Sequence, residues 1–149
     1  MVPPEVYLEE SQEMNLPKPG EIRSKDFRTA ASAPRGNGKA ETIRLVQWNI
    51  ERGYELPKVI EELKALNADI IGLQEVDIGC ERSNNVDTGE AIAEALGMNH
   101  TFLCEFEELH SPVRDARSQG GGVHGNAILS RYDMSNSRAI EHRLAAAGA

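Results

Sequence analysis

Two polar side chains stand where apolar strands end, and they are the residues best placed to do chemistry. Asn49 closes the run IRLVQWNI, and Glu75 follows IIGLQ. A carboxylate at a sheet rim is costly unless it is paired or bound to a metal. Mg²⁺ commonly takes one or two protein carboxylates together with waters and substrate phosphate, so a single Glu75 suits it, and Mn²⁺ is an alternative. Asn49 can hold a metal's water or a phosphate oxygen without adding charge. A plainer reading makes Glu75 the partner of Arg82 or Arg52. Further along, His124 and Asn126 flank Gly125 at the mouth of the last strand, where either can reach a phosphate. A lone histidine is also common as a surface or structural residue. Gly120, Gly122 and Gly125 spell G-x-G-x-x-G, but ahead of a strand rather than between strand and helix, which excludes a dinucleotide site. The glycine run reads instead as a flexible lip beside the rim. The chain has no G-x-S-x-G, H-E-x-x-H or Walker loop, so Ser–His–Asp chemistry has no support.

The elements that must position these residues form a strand–helix–strand unit from Ile43 to Asp77. Ile43–Ile50 is apolar on both parities, the pattern of a parallel strand covered on both faces. Leu56, Val59, Ile60, Leu63 and Leu66 recur at helical spacing, with Lys58, Glu61, Glu62 and Lys64 opposite them. Pro57 suits the first helical position and Asn67 a left-handed stop. Ile70–Leu73 is the second strand. Ligands of open α/β sheets sit outside the carboxyl ends of parallel strands, so Asn49 and Glu75 are expected side by side at one rim. Thr88 or Asp87 can cap a helix over Gly89–Leu96, with Gly97 ending it; His100–Phe106 and Asn126–Ser130 read as further strands. The Glu107–Val123 stretch between them is a long loop, of the kind that is usually functional or disordered.

Composition bounds the rest. The chain has 149 residues, 40% hydrophobic and 27% charged, enough for one domain. Sixteen Lys and Arg against 24 Asp and Glu give a formal net charge of −8. Such a chain does not gather nucleic acid by bulk electrostatics, and a phosphate ligand needs a local cation. Cys80 and Cys104 are too few for a disulfide scaffold or a cysteine-rich zinc site. Residues 1–42, rich in Pro and Gly and poor in large apolar groups, read as a disordered leader, and residues 134–149 as an irregular tail. No signal peptide or membrane-length apolar run is visible, so the expected location is intracellular, cytoplasmic or nuclear.

Three segments together resemble the endonuclease/exonuclease/phosphatase superfamily, the DNase I-like fold: WNIERG at Trp48–Gly53, LQEVD at Leu73–Asp77 and HGNAILSRY at His124–Tyr132. The resemblance covers residues 43 to 133. It implies a four-layer α/β sandwich and Mg²⁺-dependent hydrolysis of a phosphoester, carried by a nucleic acid or a small phosphorylated molecule. The strand-end Asn of the family matches Asn49 and its metal-binding Glu matches Glu75; Arg82 and Asp87 fall in a loop that resembles its substrate-side loop. The later Gly-Asp-x-Asn and Ser-Asp-His motifs of the family do not occur. After Asn126 the only histidine is His142, and Asp133 lacks the preceding Gly. The expectation is therefore an incomplete sandwich, the amino-terminal half of the domain, weak or inactive alone for want of the carboxyl-terminal half. A non-catalytic module that binds a ligand or partner is the alternative.

Overall fold

The computed structural model describes residues 14–32, 34 and 42–142. Five strands form one mixed sheet: β1 (Ile22–Asp26), β2 (Leu45–Asn49), β3 (Ile70–Ile78), β4 (Asn99–Glu108) and β5 (Gly122–Ser130), in the order β1-β4-β5-β3-β2. Only β2 and β3 run parallel, joined by helix α1 (Leu56–Leu66); the remaining pairs are antiparallel. α1 starts with Pro57 in its first turn and stops at Asn67, which takes the left-handed conformation at φ 48°. Helix α2 (Thr88–Leu96) is capped by Asp87, whose carboxylate accepts the Glu90 N–H, and ends on left-handed Gly97. Both caps satisfy backbone groups that a helix end leaves open.

The two helices cover one face of the sheet. Leu63 of α1 and Ile92 of α2 lie over Ile71, Leu73, Phe102 and Leu129, all completely buried. Each such side chain contributes about 1.5–3 kcal/mol of burial, so this single layer carries the fold. The other face is largely bare. Leu45 is 68% exposed, Ile43 57% and Ile128 51%. The strand read as covered on both faces is thus an edge strand covered on one, because every helix among the described residues packs on the same side. Irregular chain from Tyr132 to Arg138 lines shallow grooves on the bare face beside Ile70, Ile128 and Leu103.

The disordered leader expected for residues 1–42 needs correction. Ile22–Asp26 is a strand paired in register with β4, from Ile22↔Leu103 to Asp26↔Asn99, and Leu16 and Phe27 pack against the core. A five-residue edge strand draws its order from ladder hydrogen bonds, which a count of apolar residues does not register. Residues 1–13, 33 and 35–41 of that leader lie outside the described residues, as do 143–149 of the tail. The glycine run is not a lip either. Gly120 and Gly122 are buried, and a Cβ on Gly122 would strike the Ile78 carbonyl, so β5 begins where the glycines let two backbones meet.

Candidate functional site

Asn49 and Glu75 meet as the sequence predicts. The Asn49 Nδ2 donates to Glu75 Oε1 at 3.0 Å, while its Oδ1 accepts the Glu51 N–H at 3.0 Å. Strained backbone lies at Glu75 and just past Asn49. The ladder between β3 and β5 passes from Leu73↔Ala127 to Val76↔Gly125, a bulge that sets Gln74 and Glu75 together opposite Asn126. Glu75 is left-handed at φ 56°, and past Asn49 the chain turns through Glu51 and Arg52 at φ 47° and 62°. Left-handed non-glycine residues cost about 1–3 kcal/mol each and gather at functional sites. Gly53, next in line at φ 75°, packs so closely on Thr88 that a Cβ would lie 2.8 Å from its methyl group. The strained turn is thereby pressed onto the start of α2.

Glu75 is 32% exposed, and its second oxygen lies 3.6 Å from Arg52 Nη1. Of the two arginines that could have paired with it, the structure uses Arg52. The Arg52 Nε is buried without a hydrogen-bond partner among the described residues.

A second cluster lies two residues on, at Asp77. This carboxylate is 0% exposed and receives Arg82 Nε and Nη2 at 2.8 and 2.9 Å, Ser83 Oγ at 3.0 Å and His124 Nδ1 at 2.7 Å. Burial pushes its pKa up, but the hydrogen bonds from Arg82 and His124 and the Arg82 charge outweigh it, and the carboxyl sits below its ordinary value. Arg82 also reaches Glu108 at 3.1 Å, and Glu108 in turn takes Arg114 at 2.9 Å. Arg82, placed by resemblance in a substrate-side loop, has a side chain only 5% exposed that is engaged by the Asp77 and Glu108 carboxylates. Thr88 ties the cluster to α2 by accepting the Asp77 N–H and donating to the Asp77 carbonyl.

His124 sits opposite Asp77 across the ladder, with the Phe106 ring centroid 5.0 Å from its own. Asn126 donates to Glu105 Oε1 at 2.9 Å, and Glu105 is the extra residue of a second bulge, between Cys104 and Phe106 of β4. Asp87 serves as the α2 cap. Asp133 pairs with Arg28 at 2.7 Å on the surface. Cys80 and Cys104 are free and buried, and burial pushes the Cys80 thiol up to about 12, which keeps it out of nucleophilic chemistry. Sequence reasoning missed Asp77, Ser83, Glu105 and Glu108. The signal available for Asp77 was its spacing, since Glu75 and Asp77 at i and i+2 share a strand face.

A sequence model of the Endonuclease/Exonuclease/phosphatase family matches residues 46–144, most of the chain, and the chain belongs to that family. The match contains Asn49, Glu75, Asp77, Arg82, His124 and Asn126. The fold is α/β, a five-stranded mixed sheet with two helices, consistent with part of a DNase I-like domain. The family is generally hydrolytic toward phosphoesters. No curated protein and no solved structure matches the chain. Among the described residues no helix is long and apolar enough to cross a membrane.

Proposed function

We propose that this chain is a phosphoester hydrolase, acting on a phosphodiester or phosphomonoester with Mg²⁺ or Mn²⁺ at the rim where Asn49 and Glu75 meet. The observation that carries the reading is the Asn49–Glu75 hydrogen bond held on a left-handed bulge. The fold keeps a carboxylate in costly backbone, about a third in solvent, where a relaxed strand would have turned it elsewhere. Among the described residues no three His, Cys, Asp or Glu side chains gather to hold a metal. A single carboxylate nonetheless fits Mg²⁺, which keeps most of its waters and fills the rest of its shell with substrate oxygens. Glu75 would be the protein ligand. Asn49, its oxygen engaged by Glu51 and its nitrogen by Glu75, orients that carboxylate rather than ligating. Bound there, the cation would polarise the phosphoryl oxygen and offset its charge. Arg52 adds a positive charge beside the same oxygens. With a net charge of −8 on the chain, this local positive charge is what draws a phosphate in.

A second reading, a non-catalytic module that binds a ligand or partner, is favoured by the bare sheet face around Leu45 and Ile128. Calorimetric titration with Mg²⁺ separates the two. Glu75→Gln keeps the shape and removes the charge, so Mg²⁺ affinity should fall at least tenfold with the fold intact. Equal affinity in the variant would make Glu75 an ion-pair partner of Arg52 and nothing more.

A further inference from the structure

The Glu75 carboxylate and the Arg52 guanidinium face each other at the rim, and each is also suited to another partner. We propose that Arg52 is the side chain that grips the substrate's phosphate, released for that task when Glu75 gives its oxygens to a cation; this rests on the hydrolase reading above and deepens it.

Three observations carry it. First, the Arg52 guanidinium is only loosely held. Its one ion-pair partner among the described residues is Glu75, whose Oε2 lies 3.6 Å from Nη1, beyond hydrogen-bond reach. The other Glu75 oxygen already accepts from Asn49 at 3.0 Å. Second, the Arg52 Nε is enclosed and has no hydrogen-bond partner among the described residues. A seat that shuts away a donor without an acceptor carries a standing cost, so charge alone keeps the side chain over Glu75. Third, the backbone fixes where the side chain can go. Arg52 is left-handed at φ 62°, and Gly53 behind it packs on Thr88, where a Cβ would lie 2.8 Å from the methyl group. With its Cα pinned, rotation about the side-chain bonds carries the guanidinium between Glu75 and solvent at the same rim. The side chain is 37% exposed, so that path is open.

Arg52 and a divalent cation therefore compete for one oxygen of Glu75. Once displaced, the guanidinium offers a planar fork of donors, the shape that matches two oxygens of a phosphate. Glu51 and Glu55 flank it on the same turn. Glu55 is taken by Lys58 at 2.9 Å, which leaves Glu51 as the rival acceptor on that turn. Arg52 thus neutralises Glu75 while the rim is empty and neutralises the phosphate once the rim is loaded, so cation and phosphate binding are linked through one side chain.

The test is a pair of opposite effects in one variant. In Arg52→Gln, Mg²⁺ affinity read by calorimetry should rise about two- to fivefold, because an exposed ion pair no longer competes for Glu75. Inorganic phosphate added to the Mg²⁺-saturated variant should bind about 10–100-fold more weakly, the share of a hydrogen bond to a charged group. In the wild type, the Arg52 Nε–H signal in ¹⁵N NMR should move when phosphate is added with Mg²⁺ present. Arg52→Gly, at home at a positive φ, carries both titrations if glutamine disturbs the turn. Phosphate affinity unchanged in both variants, or an Nε–H signal that phosphate does not move, would overturn the proposal and leave the hydrolase reading standing, with Arg52 a partner of Glu75 or Glu51 alone. Mg²⁺ affinity that rises in neither variant would overturn it as well, since Arg52 then does not compete for Glu75. If Glu75→Gln binds Mg²⁺ as tightly as the wild type, the hydrolase reading falls and this proposal falls with it.

Discussion

His100 is a buried base whose protonation the fold opposes, and one substitution isolates its effect. It lies on β4, 2% exposed, with its Nε2 unpaired among the described residues and close against Gly89 at the start of α2. Burial, aided by the charge on Lys25, lowers its pKa to about 4. The unfolded chain takes up that proton near pH 6.5 and the folded chain only near 4, so acid destabilises the fold across that interval. At about 1.4 kcal/mol per pH unit, the whole interval is worth about 3 kcal/mol. Asp87 works the other way. Burial raises it to about 6, so the folded chain binds this proton first, and acid stabilises the fold between about 6 and 3.8 by a similar amount. Lys25 lies 3.5 Å from Glu90. Asp77 and Glu108, both held below their ordinary values, lose their contributions only at lower pH. The two opposing effects should leave the wild type nearly flat between pH 6.5 and 4.5. His100→Leu should instead gain about 2 kcal/mol over that range, and Asp87→Asn should lose about as much. Urea unfolding followed by Trp48 fluorescence at pH 6.5, 5.5 and 4.5 reads both slopes. A His100→Leu profile parallel to that of the wild type would refute the reasoning.

Two further outcomes follow from the backbone. Gly125→Ala and Gly122→Ala should each destabilise by about 1–3 kcal/mol or more, since the new methyl group meets the Leu103 or Ile78 carbonyl; thermal melting checks this, and a tolerated alanine would restore the flexible-lip reading. Glu75→Gly should match or exceed wild-type stability by up to about 1 kcal/mol while abolishing Mg²⁺ binding, because glycine relaxes the left-handed bulge; a loss above 1 kcal/mol would mean the Asn49 hydrogen bond outweighs the strain.

What was legible in the sequence followed from periodicity and caps. The α1 pattern, with Pro57 at one end and Asn67 at the other, predicts the helix within a residue, and the strands it joins bring Asn49 to Glu75. Register was not legible. Neither bulge has a residue signature, since Glu75 is left-handed without being Gly or Asn, and Glu105 lies in an apolar–polar alternation that suggests an unbroken strand. The resemblance places Arg82 in a substrate-side loop, but its ion pairs are not legible, because the acids that claim it come from β3 and β4 and converge only in three dimensions. The short β1 was missed since its order comes from an edge of β4 that no local count can foresee.

Glu75 and Asp77 stand in contrasting surroundings, and the contrast decides which of them could take a ligand. They stand two residues apart on one strand, yet Glu75 has one amide, one distant arginine and open solvent, whereas Asp77 has an arginine fork, a hydroxyl and an imidazole. A carboxylate with all its lone pairs satisfied has nothing left to offer a cation, and one that is half satisfied has. The bulge makes the difference: it lifts Glu75 out of the ladder just before β3 enters the loops that bury Asp77. Thr88 then locks the position, bonding the Asp77 backbone on one side and pressing on Gly53 of the strained turn on the other. One threonine at the start of α2 thus couples the turn after Asn49, the bulge at Glu75 and the buried carboxylate of Asp77, so a shift of α2 would disturb all three together.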